Sequence, residues 1–409
     1  MEDRIQGFNL NSDEHKVYAG NDTIKSVQIA IVVVAYNRTD SVRRLLGSLL
    51  KAYYSKSATL IISIDKSNTN EVEILADDFN WPYGEKKVIK HSENLGLRKH
   101  ILSIGEYTKQ FDGVIVLEDD LEVSPSFYNF ALEAVAKYQN DDRIAGISLF
   151  SFPLNMQISL PFIPERNEYD AFFFQNAQSW GEVWMKNAWA KFLEWYEKNS
   201  AEFSDEPHLP YNICHWGKNS WLKYHIKYCI EKDKYFVYPY TSLTYCSGAA
   251  GMHSKEMNNY TQGTILRGNM TGFRLPDFDS AVKYDGFYER VDLDFGLGVD
   301  DVCIDLNGSK GNRMNHRYWL TTRRESYKVV KSYGVMYVPM EQNVACNVEG
   351  ETIFLYDTNE KSKKPHNNFL SIISYYKLNG LFSFMIVRGF MASSVQLLHY
   401  VVHKFLKRI

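Results

Sequence analysis

The sequence predicts an α/β fold in which a mostly parallel sheet is flanked by helices. Two observations predict it. Apolar, β-branched runs alternate with segments of helical spacing four times between residues 28 and 138, and three of the four runs close on polar or charged residues. Such alternation is the pattern of a parallel sheet with helices on both faces, and ligands of such sheets sit at the carboxyl ends of the strands.

The elements follow in order. QIAIVVVAYN (28–37) is an unbroken apolar run and reads as a buried strand. Between Arg38 and Lys51, the residues Val42, Leu45, Leu46, Leu49 and Leu50 recur at helical spacing. TLIISID (59–65) is a second strand, Glu71 to Phe79 a short helix, KKVIKH (86–91) a third strand, Leu97 to Phe111 a helix, and GVIVLED (113–119) a fourth strand. Ser126 to Tyr138 is helical, with Ser124 as its cap and Pro125 at its first position. Beyond residue 139 the chain is mixed and dense in aromatics. SWGEVWMKNAWAKFLEWYEK (179–198) reads as a loop entering a helix, residues 215–236 hold another helix, and YFVYPYTSLTY (235–245) is strand-like. CSGAAGMHS (246–254) is a glycine-rich loop, and residues 283–356 suggest a small appended unit. The expected division is an extension over 1–27, a main domain over 28–255, the appended unit over 256–360 and a tail over 361–409.

Composition adds bounds. The 409 residues are 45% hydrophobic and 23% charged with net charge −3, ordinary globular values that give no sign of nucleic-acid binding. Five cysteines, none at CxxC spacing, argue against a disulfide framework or a zinc site and fit a reducing compartment. The polar, acidic start is neither a signal nor a transit peptide, and no run of eighteen apolar residues appears. The tail differs: from Lys361 to Ile409 there is no Asp or Glu, while Val395, Leu398, Val402, Phe405 and Ile409 recur at helical spacing among basic residues. That is the pattern of an amphipathic helix lying on an anionic membrane, or of a terminal helix docked on the protein's own core.

The strand ends carry the chemistry. Asn37 and Arg38 follow the first strand, Asp65 ends the second, and Glu118, Asp119 and Asp120 end the fourth. Three consecutive acids directly after VIVL need a cation or a hydroxylated ligand to be tolerable. A solvated turn before a capped helix accounts for Ser124 and Pro125 and leaves the acids unexplained.

VVAYNRTDSVRRLL, LIISIDKSN, HSENLGLRKHIL and VIVLEDDLEVSPSFY, in this order and spacing, resemble the nucleotide-binding half of GT-A glycosyltransferases. The likeness is closest to the N-acetylglucosaminyltransferase I type, whose DXD motif is EDD. It covers about 28–150 closely. It is looser over 175–255, where SWGxxW, a Trp-rich helix and the glycine-rich loop resemble bacterial relatives.

The resemblance implies roles. Asp120 would hold a divalent ion, manganese or magnesium, on the donor's diphosphate, where a hard cation offsets the charge of the departing nucleotide. Asp119 and Glu118 would face the ribose and sugar hydroxyls. Arg38 would contact the diphosphate, to which a planar guanidinium is suited. Asp65 would accept the uracil N–H, and Asn94, Gly96 and Arg98 would close over the nucleotide. His253 would ligate the metal or touch the diphosphate.

Relatives place a basic Asp directly after a Trp near HWGKNSW; here Gly217 follows Trp216. Glu182 is the first substitute and His215 the second, since a neutral imidazole can serve as a base. Asp300 and Asp301 are more distant candidates.

The expected protein is therefore an inverting, metal-dependent transferase. It would move a sugar from a nucleotide sugar, UDP-linked as in UDP-GlcNAc, to a saccharide or glycolipid acceptor in surface-glycan synthesis. The expected location is the cytoplasm, peripheral on the inner face of the membrane. The rivals are a degenerate nucleotide-sugar-binding or scaffold protein and a sugar nucleotidyltransferase. AYNRTD lacks the glycine-rich, lysine-bearing loop of the second rival.

Overall fold

The computed structural model describes residues 24, 26–246, 261–291, 293–311, 315–366, 368–376 and 394. β1 (Ile29–Ala35), α1 (Thr39–Leu49), β2 (Thr59–Ile64), α2 (Glu71–Asp78), β3 (Lys86–Lys90), α3 (Leu97–Ile104) and β4 (Gly113–Glu118) keep the alternation expected from the sequence. A 3-10 turn over Gly105–Lys109 prolongs α3. Then come β5 (Leu121–Val123), α4 (Phe127–Tyr138), β6 (Ile144–Ser148), the short pair β7 (Leu154–Asn155) and β8 (Leu160–Pro161), β9 (Ala171–Phe174) and β10 (Glu182–Met185). They are followed by α5 (Lys186–Asn199), α6 (Tyr211–Cys214), α7 (Leu222–Glu231), β11 (Tyr235–Pro239), β12 (Thr244–Cys246) and β13 (Lys283–Tyr284).

A nine-stranded sheet runs β13-β9-β11-β6-β10-β4-β1-β2-β3. The β4-β1-β2-β3 half is wholly parallel, and β10 enters it antiparallel to both β4 and β6. Period-two alternation sorts β1 between two interiors. Ile29, Ile31, Val33 and Ala35 pack with α1 and α4, whereas Ala30, Val32 and Val34 pack with α3, α5 and α7. Both faces are thus covered, which is why the strand is apolar at every position instead of alternating.

Two local expectations change. The stretch read as a loop before the Trp-rich helix contains β10, a four-residue strand made by pairing with β4 and β6, a long-range contact that local periodicity does not reveal. Trp184 on this strand stacks on Trp189 of α5 at 3.9 Å and 13°. Helix α4 begins at Phe127 with Ser126 at its N-cap. Ser124 lies outside it, donating its hydroxyl to Leu266 O and accepting Ser126 N–H at 3.2 Å, so it shapes the turn.

A smaller sheet, β14 (Val302–Asp305), β15 (Tyr318–Thr321), β16 (Tyr327–Tyr333) and β17 (Ile353–Lys361), is ordered β14-β15-β17-β16 and is accompanied by α8 (Glu341–Ala345) and α9 (Phe369–Tyr375). It has its own apolar interior around Leu320, Tyr333 and Leu355. Polar ties join it to β13 and the residue after it: Lys310 donates to Asp285 at 2.6 Å, and the Tyr284 hydroxyl donates to Glu341 at 2.6 Å. All five cysteines are free. No helix among the described residues is long and apolar enough to cross a membrane. The amphipathic segment of the tail lies outside the described residues, Ser394 excepted.

Candidate functional site

The parallel register sets the strand ends level. Val34 pairs with Glu118 and Ala35 with Ile64, so the residues following β1, β2 and β4 emerge along one edge. There Arg38 donates from Nη1 to Asp120 Oδ2 at 3.1 Å and from Nη2 to Asp119 Oδ1. Asp119 is buried, whereas the Asp120 and Arg38 side chains remain 22% and 32% exposed. An open cavity of about 920 Å³ between α1 and α2 begins at Arg38 and is lined by Asn37, Thr39, Arg43, Glu71 and Ile74 among others.

One guanidinium does not offset three acids. Burial pushes the Glu118 carboxyl up to about 8; Asp120 and Asp119 add repulsion, against a smaller opposing pull from Arg38 and a hydrogen bond with Ser179. Burial likewise lifts Asp119 to about 6, partly countered by Arg38. The site thus gathers more acids than its one guanidinium can pair, and their hard oxygen donors are the set that Mg²⁺ and Mn²⁺ favour.

Asp65 is buried beside this edge, and backbone N–H groups engage both its oxygens: Lys66 at 2.9 Å and Leu95 at 2.8 Å on Oδ1, Gly96 at 3.0 Å on Oδ2. Asn94 donates from Nδ2 to Lys66 O at 2.9 Å. Gly96 caps α3 with φ 73° and ψ 157°, a conformation essentially restricted to glycine, although an added Cβ would meet nothing within 4 Å. The structure thus brings Arg38, Asp65, Asn94, Gly96 and the acid triplet to neighbouring loops.

Arg98 is directed elsewhere. Its Nε donates to the Tyr196 hydroxyl at 2.8 Å and its Nη1 to Lys218 O at 3.1 Å, and its guanidinium lies 4.5 Å from the Tyr224 ring centroid. It ties α3 to α5 and to the loop after His215, a partnership between residues 98 and 120 positions apart in the chain that the motif alone does not indicate.

Glu182 is 1% exposed. Its Oε1 accepts Gln178 N–H at 2.6 Å, and its Oε2 accepts Trp184 Nε1–H at 2.5 Å. Burial pushes its carboxyl up to about 8. This carboxylate faces the interior near His225, whose Nδ1 is 4.0 Å away, and it organises the 178–180 turn. His215 is exposed, stacked on Tyr211 at 3.9 Å, with Nδ1 2.8 Å from Tyr211 O. Donation from Nδ1 leaves Nε2 as the lone-pair nitrogen. Asp301 is engaged by His316 Nδ1 at 2.7 Å and Arg317 N–H at 2.9 Å. His253 lies outside the described residues.

Some site neighbours lie within the quoted motifs without a role assigned to them from sequence. Ser179 reaches Glu118, and Ser63, His91 and His100 cluster behind Asp65. A second acid–histidine group, Glu206, His208 and Glu231, gathers possible ligand atoms within 4.8 Å, but Lys227 already bonds Glu206 and lies 3.5 Å from Glu231.

A mostly parallel sheet flanked by helices, with acids and an arginine at the strand ends, matches the architecture expected of the GT-A glycosyltransferase fold. Residues 30–158 match the family model described as glycosyl transferase family 2, so the stretch holding Arg38, Asp65 and the acid triplet is a glycosyltransferase domain. No curated protein matches the chain. Among solved structures, GalNAc-T7 with UDP, GalNAc and Mn²⁺ is similar at 14% identity and TM-score 0.38, covering 53% of this chain and 43% of that one. Staphylococcus aureus TarS 1-349 in complex with UDP-GlcNAc is similar at 13% and 0.35, covering 55% and 60%. The mannosyltransferase PcManGT from Pyrobaculum calidifontis with GDP-Man and Mn²⁺ is similar at 10% and 0.31, covering 53% and 57%. The chain thus spans between 43% and 60% of the lengths of these proteins.

Proposed function

We propose that the protein is a metal-dependent, inverting glycosyltransferase of the N-acetylglucosaminyltransferase I type. It moves a sugar from a UDP-linked donor to a saccharide or lipid-linked acceptor in surface-glycan synthesis. The observation that carries this reading is the meeting of Arg38 with Asp119 and Asp120, beside Asp65, on one edge of a parallel sheet. The residues fit a divalent ion: Asp120, partly exposed and beside Glu118 and Asp119, belongs to an acid-rich, hard-oxygen donor set. Asp120 would hold the ion, with His253 as a further ligand, and a bound Mn²⁺ or Mg²⁺ would act as a Lewis acid towards the diphosphate. Arg38 orients the phosphates, Glu118 and Asp119 face the sugar, and Asp65 with Asn94 and Gly96 holds the uracil.

For the base, burial and two accepted hydrogen bonds disfavour Glu182, while exposure and a fixed tautomer favour His215. The loop of His215 meets α3 through the Arg98–Lys218 contact, two residues beyond Gly96. The expected boundary at 255 moves: β13 (Lys283–Tyr284) pairs with β9 in the nine-stranded sheet, so the main domain would run from 28 past Tyr284, and the small sheet β14–β17 would form the appended unit.

The acid-free tail supports a peripheral position on an anionic membrane, on its cytoplasmic face. Sedimentation with phosphatidylglycerol vesicles, with and without residues 361–409, tests this; equal binding by both proteins would refute it. A panel of nucleotide sugars tested for manganese-dependent thermal stabilisation and hydrolysis tests the main reading. Gly217, standing where relatives carry an acid, favours a second reading as a nucleotide-sugar-binding protein without turnover. UDP binding with no hydrolysis or transfer would select it.

A further inference from the structure

We propose that Ser63, His91 and His100 are positioning residues for the donor, a hydrogen-bonded anchor that sets the 92–96 loop against Asp65. The inference rests on the reading of this edge as a nucleotide-sugar site.

Ser63 and Asp65 are two positions apart, so both face the side of β2 that Ile61 shares with Ile101 and Ile104 of α3. Ser63 is 1% exposed and interrupts the apolar run 60–64 of β2. Its hydroxyl lies 2.7 Å from His100 Nε2 and 3.2 Å from His91 Nε2. A hydroxyl carries one proton, so it donates to one imidazole and accepts N–H from the other. The rings pack edge-on with centroids 5.0 Å apart, which leaves little freedom for another arrangement. Asp65 is the nearby acid that bears on His100.

The anchor joins three elements. His91 follows β3 directly and donates its backbone N–H to Ile64 O at 3.0 Å; His100 lies in the first turn of α3 and bonds Gly96 O at 3.0 Å. The intervening loop is pinned in the middle by Asp65 on the Leu95 and Gly96 N–H groups. A polar trio with one satisfying arrangement fixes the loop in a way that apolar contact, which tolerates sliding, does not. The carboxylate that reads the base and the backbone that covers it therefore share one support.

Calorimetric titration with UDP and Mn²⁺, alongside thermal melts, tests the anchor. Ser63→Ala is expected to weaken UDP binding about tenfold, and Ser63→Thr, which returns the hydroxyl, to restore it. The double variant Ser63→Ala/His100→Leu is expected to regain melting temperature by apolar packing while UDP binding stays weak. Parent-like UDP affinity in Ser63→Ala or in the double variant would overturn the inference and leave the donor site standing. A parent protein that binds no UDP would instead overturn the reading on which the inference rests.

Discussion

Nη1 of Arg38 lies 3.1 Å from Oδ2 of Asp120, although 82 positions separate them in the chain. The contact follows from parallel pairing of β1 with β4, which sets the two strand exits side by side. It places a fixed positive charge against the partly exposed Asp120, next to two further carboxylates that burial and repulsion drive toward protonation.

The two partners of this contact differ in what their removal does. Asp120→Ala removes a partly exposed acid and relieves repulsion, so melting temperature holds while metal-dependent turnover falls about 10²- to 10³-fold. Arg38→Ala strips buried Asp119 of its partner and is expected to destabilise by about 1–3 kcal/mol, below the range for a fully buried pair because the guanidinium is partly exposed. Melts and manganese-dependent UDP-sugar hydrolysis on both variants separate the effects; unchanged hydrolysis in Asp120→Ala would sink the metal assignment.

Gly96→Ala tests backbone conformation without crowding, since the added methyl meets nothing within 4 Å. Its φ of 73° with extended ψ predicts a cost of about 1–3 kcal/mol and a weaker grip on UDP. Denaturant melts and UDP titration check this, and a variant as stable as the parent would show that the loop relaxes freely.

Glu182 and His215 separate stability from chemistry. Glu182→Gln sets an amide N–H₂ against the Gln178 or Trp184 donor, at a cost of about 1–3 kcal/mol, with kcat reduced less than tenfold. His215→Ala leaves stability near the parent's and lowers kcat about 10²- to 10⁴-fold. Transfer assays at a fixed, saturating donor concentration decide it; the reverse ranking would return the base role to Glu182.

His225 predicts an acid-sensitive fold. It is fully buried and stacked on Phe192 at 4.1 Å, neither ring nitrogen has a hydrogen-bond partner among the described residues, and burial lowers its pKa to about 3. Below the ordinary value near 6.5 the unfolded chain takes up the proton first, so stability falls as pH drops from about 6.5 toward 3, by up to about 1.4 kcal/mol per pH unit. His225→Phe removes this loss and is expected to melt at or above the parent's temperature, with a flatter pH profile between 6.5 and 4. Equal acid sensitivity in the two proteins would rule out His225 as the cause.

Local pattern was enough for the strands β1 to β4 and the helices between and after them, because their periodicity is set by burial on one or both faces, whereas β5, three residues paired with β12, was not read. It also placed Arg38, Asp65 and Asp120 at strand ends, since the parallel alternation fixes which ends share an edge. Partner choice was not legible. β10 exists because β4 and β6 accept it, Glu182 turns inward because Trp184 and Gln178 hold its oxygens, and Arg98 leaves the nucleotide edge for Tyr196 and Lys218. The sequence by itself determined the alternation and the chemistry at the strand ends. The tertiary structure decided which side chains that edge can use, because hydrogen bonds between distant segments depend on where packing brings them.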